Sequence, residues 1–408
     1  MRSKLGRNVI GLGAVSLFTD VSTEMIYPLL PIFLAGVLGA NASFIGAIEG
    51  AAETTASLLK LLSGWWSDKV KSRKPFVVIG YLIASIARPF TAAAHSAVQV
   101  LAIRVTDRVG KGLRTSPRDA LLADSAPPDA RGLAYGFHAA ADNTGAVLGP
   151  LVAFFLLKLH GVGALDATRH LSAHDEHAIR NVFWLSAIPA AIAMLILIFV
   201  VRDVKRHDAK AKPSEMPGEG ARLSRRFWAY LTVVLVFTLG NSTDAFLLLR
   251  ANQLGVPVAL APILWAVLNF VKAATGTYGG QLSDRVGRKP LIVGGWLLYA
   301  AVYFAFAWAG VAWQAWALFA IYGVFYGMTE GTEKALVADI VPAVRRGAAF
   351  GWYNLAIGLG ALPASLIFGW IWDRSGSPSA FIFGATLALV AAVMMAIVAP
   401  ASRLSEAK

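Results

Sequence analysis

The chain has 408 residues, 57% hydrophobic and 15% charged, where a soluble domain carries about 25% charged residues. So large an apolar surplus cannot be hidden in a water-soluble fold, and the net charge of +13 lies between apolar runs rather than on one polar face, which argues against a nucleic-acid partner. There is no cysteine, which excludes disulfide, iron–sulfur and thiolate–zinc chemistry.

Apolar runs of about 20 residues, long enough to cross a bilayer as a helix, are predicted at 8–38, 43–66, 75–95, 98–122, 133–157 and 180–201. A second set follows at 226–250, 257–279, 291–310, 313–338, 346–372 and 379–400. The basic start leads into an apolar stretch that continues to about Leu38 with no small-residue cleavage site, so it is read as a retained first span. Between the sets, Arg202 to Arg226 is polar, with Pro213, Pro217 and eight Lys or Arg residues. The expected organisation is a six-helix bundle over 1–201, a linker over 202–225 and a second six-helix bundle over 226–408.

Lys and Arg fall mainly on one side: the N-terminus, the Lys69–Lys74 loop, Arg131, the linker, Arg285–Lys289, Arg345-Arg346 and the C-terminus. Basic loops stay in the cytoplasm. Both termini and the linker are therefore expected there, in a multi-pass protein of the bacterial inner (plasma) membrane.

The two sets repeat each other. Ala120-Leu121-Leu122-Ala123-Asp124 returns as Ala335-Leu336-Val337-Ala338-Asp339, Arg131-Gly132 returns as Arg346-Gly347, and Ser22-Thr23-Glu24 returns as Ser242-Thr243-Asp244. Parallel repeats of this kind occur in secondary transporters, with the substrate site at the repeat interface near mid-membrane.

Gly280-Gln281-Leu282-Ser283-Asp284-Arg285-Val286-Gly287-Arg288-Lys289 fits G-x-x-x-D-R-x-G-R-K between spans eight and nine. A looser copy, Gly64 to Asp68-Lys69 and Arg73-Lys74, lies between spans two and three, with Lys71-Ser72 where a glycine is expected. In this pair of loops the chain resembles the major facilitator superfamily. The resemblance implies an all-α membrane fold of about twelve helices in two bundles related by a pseudo-twofold axis. It also implies a gating latch at Gly64, Asp68, Lys69, Arg73, Gly280, Asp284, Arg285, Gly287 and Arg288. Glycine lets helices approach, and aspartate can meet a helix N-terminus or an arginine. Gly369 to Gly376, through Asp373-Arg374, fits the shorter pattern on the opposite side. In span five, Gly145, Gly149 and Pro150 resemble the G-x-x-x-G-P motif of proton-coupled exporters; small residues four apart also simply allow close helix packing.

Charges within spans are costly unless they face a cavity or a partner, about 2.5–3.5 kcal/mol each on insertion scales. Span one carries Asp20 and Glu24 on one helix face; span seven, its repeat, carries Asn241 and Asp244. Span two carries Glu49, Glu53 and Lys60. Span four holds Arg104, Asp107, Arg108, Lys111, Arg114, Arg118 and Asp119 within roughly a 140° arc, and span ten holds Glu330, Glu333 and Lys334. That arc must line a cavity or pair with the carboxylates of spans one and two. Asp142 of span five and Lys272 of span eight complete the candidate substrate and proton pathway. Each charge is either part of that pathway or a fixed structural pair, and Arg118-Asp119 against Glu333-Lys334 is a candidate ion-pair set between the bundles. His138 in span five is a cavity residue or a core histidine.

His170, His174 and His177 crowd a loop with Asp175 and Glu176, read as solvated rather than metal-binding. No G-x-x-x-x-G-K-[ST] loop is present, which argues against ATP-driven transport. No nucleophile–base constellation points to an enzyme, and no cofactor is expected. The expectation is a secondary transporter, working as a monomer by alternating access, that exchanges protons for a small organic solute, anionic in whole or in part, moved outward. The alternatives are a proton-driven importer of an organic anion and a non-transporting receptor or lipid-handling protein.

Overall fold

Inside lipid every backbone N–H and C=O must be paired within the chain, which leaves helices as the solution for long apolar runs. The computed structural model describes residues 6–69, 72–126, 131–162, 171–203, 223–341 and 346–398, and among them there is no strand. In the N-terminal half the helices are α1 (Arg7–Ile26), α2 (Leu30–Gly36), α3 (Ala42–Lys69), α4 (Lys74–Ala87), α5 (Ala97–Asp124), α6 (Arg131–Leu159), α7 (Ala173–Leu185) and α8 (Ala187–Phe199). In the C-terminal half they are α9 (Arg225–Gly240), α10 (Ala245–Gln253), α11 (Ala261–Val286), α12 (Arg288–Trp308), α13 (Ala312–Ile340) and α14 (Arg346–Val398).

Eight stretches among the described residues are long and apolar enough to span a membrane. Three further helices, α3, α5 and α13, have 28 or 29 residues, about 42 Å at 1.5 Å per residue, and carry more charge. One of the eight stretches lies in α14, which breaks at Gly376, φ 82°. Counting its two limbs separately brings these rods to twelve, consistent with twelve spans.

Local chemistry sets the ends. Ser96 and Ser224 accept hydrogen bonds from the backbone N–H of Gln99 and Phe227 as N-caps. Ser172 and Asp175 form a reciprocal capping box at the start of α7. Gly287, φ 96°, turns the chain between α11 and α12, a conformation open to glycine.

The packing repeats between halves. α1 lies against α6 as α9 lies against α14, and α3 against α5 as α11 against α13. Across the halves, α3 packs on α14, α6 on α11, and α2 on α10. The interiors differ. The C-terminal half is filled by aromatic rings, with Phe237 stacked on Trp296 at 4.3 Å and Tyr299 on Tyr303 at 4.1 Å. The N-terminal half buries arginines and carboxylates.

Candidate functional site

A polar cavity lies between the halves in two lobes. The larger, about 270 Å³, is lined by Tyr27, Glu49, Glu53 and Arg108 from one half and by Asn241, Ser242, Thr243, Asp244 and Tyr326 from the other, among others. The smaller, about 210 Å³, is lined by Asp20, Glu24, Arg88, Arg108, Lys111 and Arg114, with Asp244 and Trp265 opposite. Tyr27, Arg108 and Asp244 belong to both.

The backbone between α9 and α10 supplies one wall. After Gly240 the helix stops, and Asn241 takes φ −95°, ψ 82°. Residues 241–244 therefore present polar side chains and unwound backbone to the larger lobe. Non-helical backbone at membrane depth is tolerated only where protein buries it or it lines a cavity.

The charges of α5 divide by task. Arg104 makes a two-pronged ion pair with Glu49, at 2.9 and 2.7 Å, which ties α5 to α3. Asp107, 1% exposed, accepts from Arg88 Nε at 2.8 Å and lies 3.2 Å from Arg108 Nη1. Arg88 also donates to Ser22 Oγ at 3.1 Å and to the Thr19 carbonyl at 3.3 Å, binding the turn after α4 to α1. Arg104 and Asp107 thus line neither lobe, because their charge is already met by fixed partners. Arg118 pairs with its neighbour Asp119 at 2.8 Å. Lys111 and Arg114 form no ion pair among the described residues yet line the smaller lobe. Arg114 lays its guanidinium over the Tyr81 ring at 4.1 Å.

The carboxylates divide likewise. Glu24 accepts from Trp265 Nε1 at 2.7 Å, across the halves. Asp244 accepts from Tyr322 and Tyr326 hydroxyls at 2.8 and 2.9 Å. Glu333 accepts from Trp296 Nε1 at 2.9 Å and Tyr353 at 2.7 Å, away from both lobes. Glu53 lies 3.9 Å from Lys60, and Glu330 pairs with Lys272 at 2.9 Å and Lys334 at 3.4 Å. Asp142 sits 3.5 Å from His138 on α6. The ion pairs named here all lie within one half; Arg118-Asp119 and Glu333-Lys334 do not meet.

Gly145 and Gly149 place α6 directly behind the carboxylates of α1. A Cβ at Gly145 would stand 2.9 Å from Asp20 Cβ, and one at Gly149 2.8 Å from Glu24 Cβ. The span-five glycines therefore set where Asp20 and Glu24 sit.

One end of the interface is closed. Asp373 accepts from the backbone N–H of Ala42 and Ser43, each at 2.9 Å, and from the Ser43 hydroxyl, capping α3 from α14. A Cβ at Gly369 would stand 2.6 Å from the Ala42 carbonyl oxygen. Deeper in, Thr54 donates to the Gly358 carbonyl at 2.5 Å. Around this end Ala245, Val258, Ala259 and Ala261 of the C-terminal half join an N-terminal apolar cluster.

In the two repeated loops, Arg73 pairs with Asp124 and Arg288 with Asp339. The side chains of Gly64, Asp68, Lys69 and Asp284 lie outside the described residues, as do His170 and most of the linker. Arg285 is exposed, and nothing lies within 4 Å of where a Cβ would stand on Gly280. His174 and His177 are exposed, and no metal-holding group of three His, Cys, Asp or Glu occurs among the described residues. Arg88, Tyr27, Trp265, Tyr322 and Tyr326 were not expected at the site. An arginine inside the apolar run 75–95 is the signal that marks Arg88; the aromatic donors carry no such mark.

The model of the Major Facilitator Superfamily matches residues 12–333 and 245–407. An uncharacterized MFS-type transporter of Methanocaldococcus jannaschii is 31% identical over 96% of this chain and 95% of its own length. The fosmidomycin resistance protein of Escherichia coli is 23% identical over 87% of this chain and 85% of its own. Among solved structures, a bacterial homolog of the human lysosomal transporter Spinster, inward-facing and unoccupied, superposes with a TM-score of 0.71 at 20% identity, over 96% of this chain and 94% of that one.

Proposed function

Because the chain belongs to the Major Facilitator Superfamily, whose members are transporters and not enzymes, we propose that it is a secondary active transporter that exchanges protons for a small organic solute. The observation that carries this reading is the two-lobed cavity between the halves, where Asp20 and Glu24 face Arg108, Lys111 and Arg114. Such a set can hold a solute or protons in turn.

The end closed by Asp373 is read as the outer one. The basic residues Arg73, Arg202, Arg285 and Arg288 lie in the segments of the opposite end, and basic segments remain in the cytoplasm. In this state the cavity belongs to the cytoplasm. Both termini lie on that side of a bacterial inner membrane, and the monomer is the working unit. The halves, 1–201 and 226–408 joined by 202–225, rock about the cavity. Solute leaving outward exchanges for protons carried inward on Asp20 and Glu24. The multidrug resistance protein of Salmonella arizonae, 29% identical over 38% of this chain, and the fosmidomycin resistance relative support the outward direction.

Acid-loaded inside-out vesicles provide the test. Solute-dependent proton release with the natural protein, absent with Asp20→Asn, supports antiport. Proton movement in the opposite sense, together with the solute, favours the second reading, a proton-driven importer of an organic anion, which Lys111 and Arg114 also suit.

A further inference from the structure

We propose that the smaller lobe binds a zwitterionic solute, with Asp20 holding its cationic group and Lys111 and Arg114 holding its anionic group. This rests on the antiport reading above and names the solute class.

Around α5 some buried charge is left without a partner. Most ions buried around α5 are already satisfied: Arg104 by Glu49, Asp107 by Arg88 and Arg108, Arg118 by Asp119. Two cations remain, Lys111 and Arg114, and both line the smaller lobe. Arg114 is 6% exposed, and its Nε and Nη1 have no acceptor, as is true of Arg108 Nε. A buried donor without an acceptor is destabilising, more so when charged. Tyr81 covers one face of the Arg114 guanidinium, and no carboxylate among the described residues pairs with its charge.

The same lobe carries the opposite surplus. Asp20 forms no ion pair or hydrogen bond among the described residues, and Glu24 has only the neutral Trp265 indole. The charged groups acting on Asp20 are Asp142 of α6, Glu24 of α1, and Arg114 and Lys111 of α5. Gly145 and Gly149 hold the α1 carboxylates against α6, so their wall is fixed by backbone packing.

A purely anionic solute in a space of about 210 Å³ would face Asp20 and Glu24. A purely cationic one would face Arg108, Lys111 and Arg114. A zwitterion meets both walls with the sign each requires. Coupling follows: the solute's ammonium replaces the proton on Asp20, which leaves to the cytoplasm, and a proton from outside later replaces the ammonium. One neutral zwitterion moves out for each proton moving in, so transport carries net positive charge inward.

The test uses the purified full chain in nanodiscs, probed with alanine, leucine, phenylalanine, 4-aminobutyrate and 6-aminohexanoate, a series that varies side chain and charge separation. Each compound that binds is remeasured as its N-acetyl derivative, which lacks the cation, and its methyl ester, which lacks the anion. The expected result is binding of at least one zwitterion, weakened about tenfold or more by either change. Asp20→Asn weakens the zwitterion but not its N-acetyl form, and Arg114→Gln weakens it but not its ester; retained binding of those forms shows that each variant is folded. Equal binding of an N-acetyl form or an ester, or no zwitterion binding at all, overturns the proposal. Proton release driven by some other compound would then leave the antiport reading standing. Zwitterion binding with no proton movement would sink antiport while the site assignment survives.

Discussion

Arg288, at the start of α12, pairs with Asp339 near the end of α13 at 3.3 Å. Arg73 pairs with Asp124 at the matching place of the other half. These acids close the repeated segments Ala120–Asp124 and Ala335–Asp339, so the repeat seen in the sequence is in part a repeat of this contact. In each half the arginine at the start of one helix is tied to the far end of the next.

Both aspartates of these pairs are partly exposed, and exposed ion pairs contribute about 0–1 kcal/mol. Asp339→Asn is expected to lower unfolding stability in detergent by no more than about 1 kcal/mol. The exchange Arg288→Asp with Asp339→Arg should recover it. A denaturant titration of the two variants checks both.

The Arg104–Glu49 pair is a different case, since both side chains are buried. Removing one partner of such a pair costs about 3–5 kcal/mol. Glu49→Ala should therefore reduce the yield of monodisperse protein sharply, while Glu49→Leu with Arg104→Met should recover most of it. Size-exclusion profiles of the single and double variants separate these outcomes. Equal profiles would place the pair among transport residues instead of anchors.

Gly149→Ala would set a Cβ 2.7 Å from the Val21 carbonyl oxygen and 2.8 Å from Glu24 Cβ, pushing α1 off α6. Overpacking of this kind typically costs about 1–3 kcal/mol. Transport should fall with Gly149→Ala and stay unchanged with Gly136→Ala, whose new Cβ meets nothing within 4 Å. Vesicle transport assays at matched expression check the contrast.

These contrasts mark what the sequence carried. The 3.6-residue period put the ions of α5 on one arc, and the arc does face partners and the cavity. The division of labour within it was not legible. Arg104 and Asp107 read like pathway residues, yet Glu49 and Arg88 fix them in place. Arg88 sits beside Pro89 at the end of an apolar run, where nothing local names Asp107, Thr19 and Ser22 as its partners. Tyr322, Tyr326 and Trp265 read as ordinary apolar filling, because an aromatic donor becomes visible only when a carboxylate faces it. The short pattern Gly369–Gly376 lay on the unexpected side for a latch. Its aspartate nevertheless caps a helix and its glycine permits close approach, so the pattern reports a kind of contact and not a side of the membrane.

Asp373→Ala removes three acceptor contacts that hold α14 to the start of α3. The closed end should then open more often. With no cysteine in the chain, Asn241→Cys gives a single label site in the larger lobe. Labelling from outside by a membrane-impermeant maleimide should quicken in the Asp373→Ala background. An unchanged rate would mean that Asp373 does not hold this end shut.

Alternation at that end is tested most directly by locking it. Ser43→Cys with Asp373→Cys replaces the capping contact with a pair of thiols that an oxidant can join. The oxidised protein, reconstituted in vesicles, should cease solute-driven proton exchange, and a reductant should restore it. Full exchange by the disulfide-locked protein would contradict the claim that the cavity must open where α3 and α14 meet.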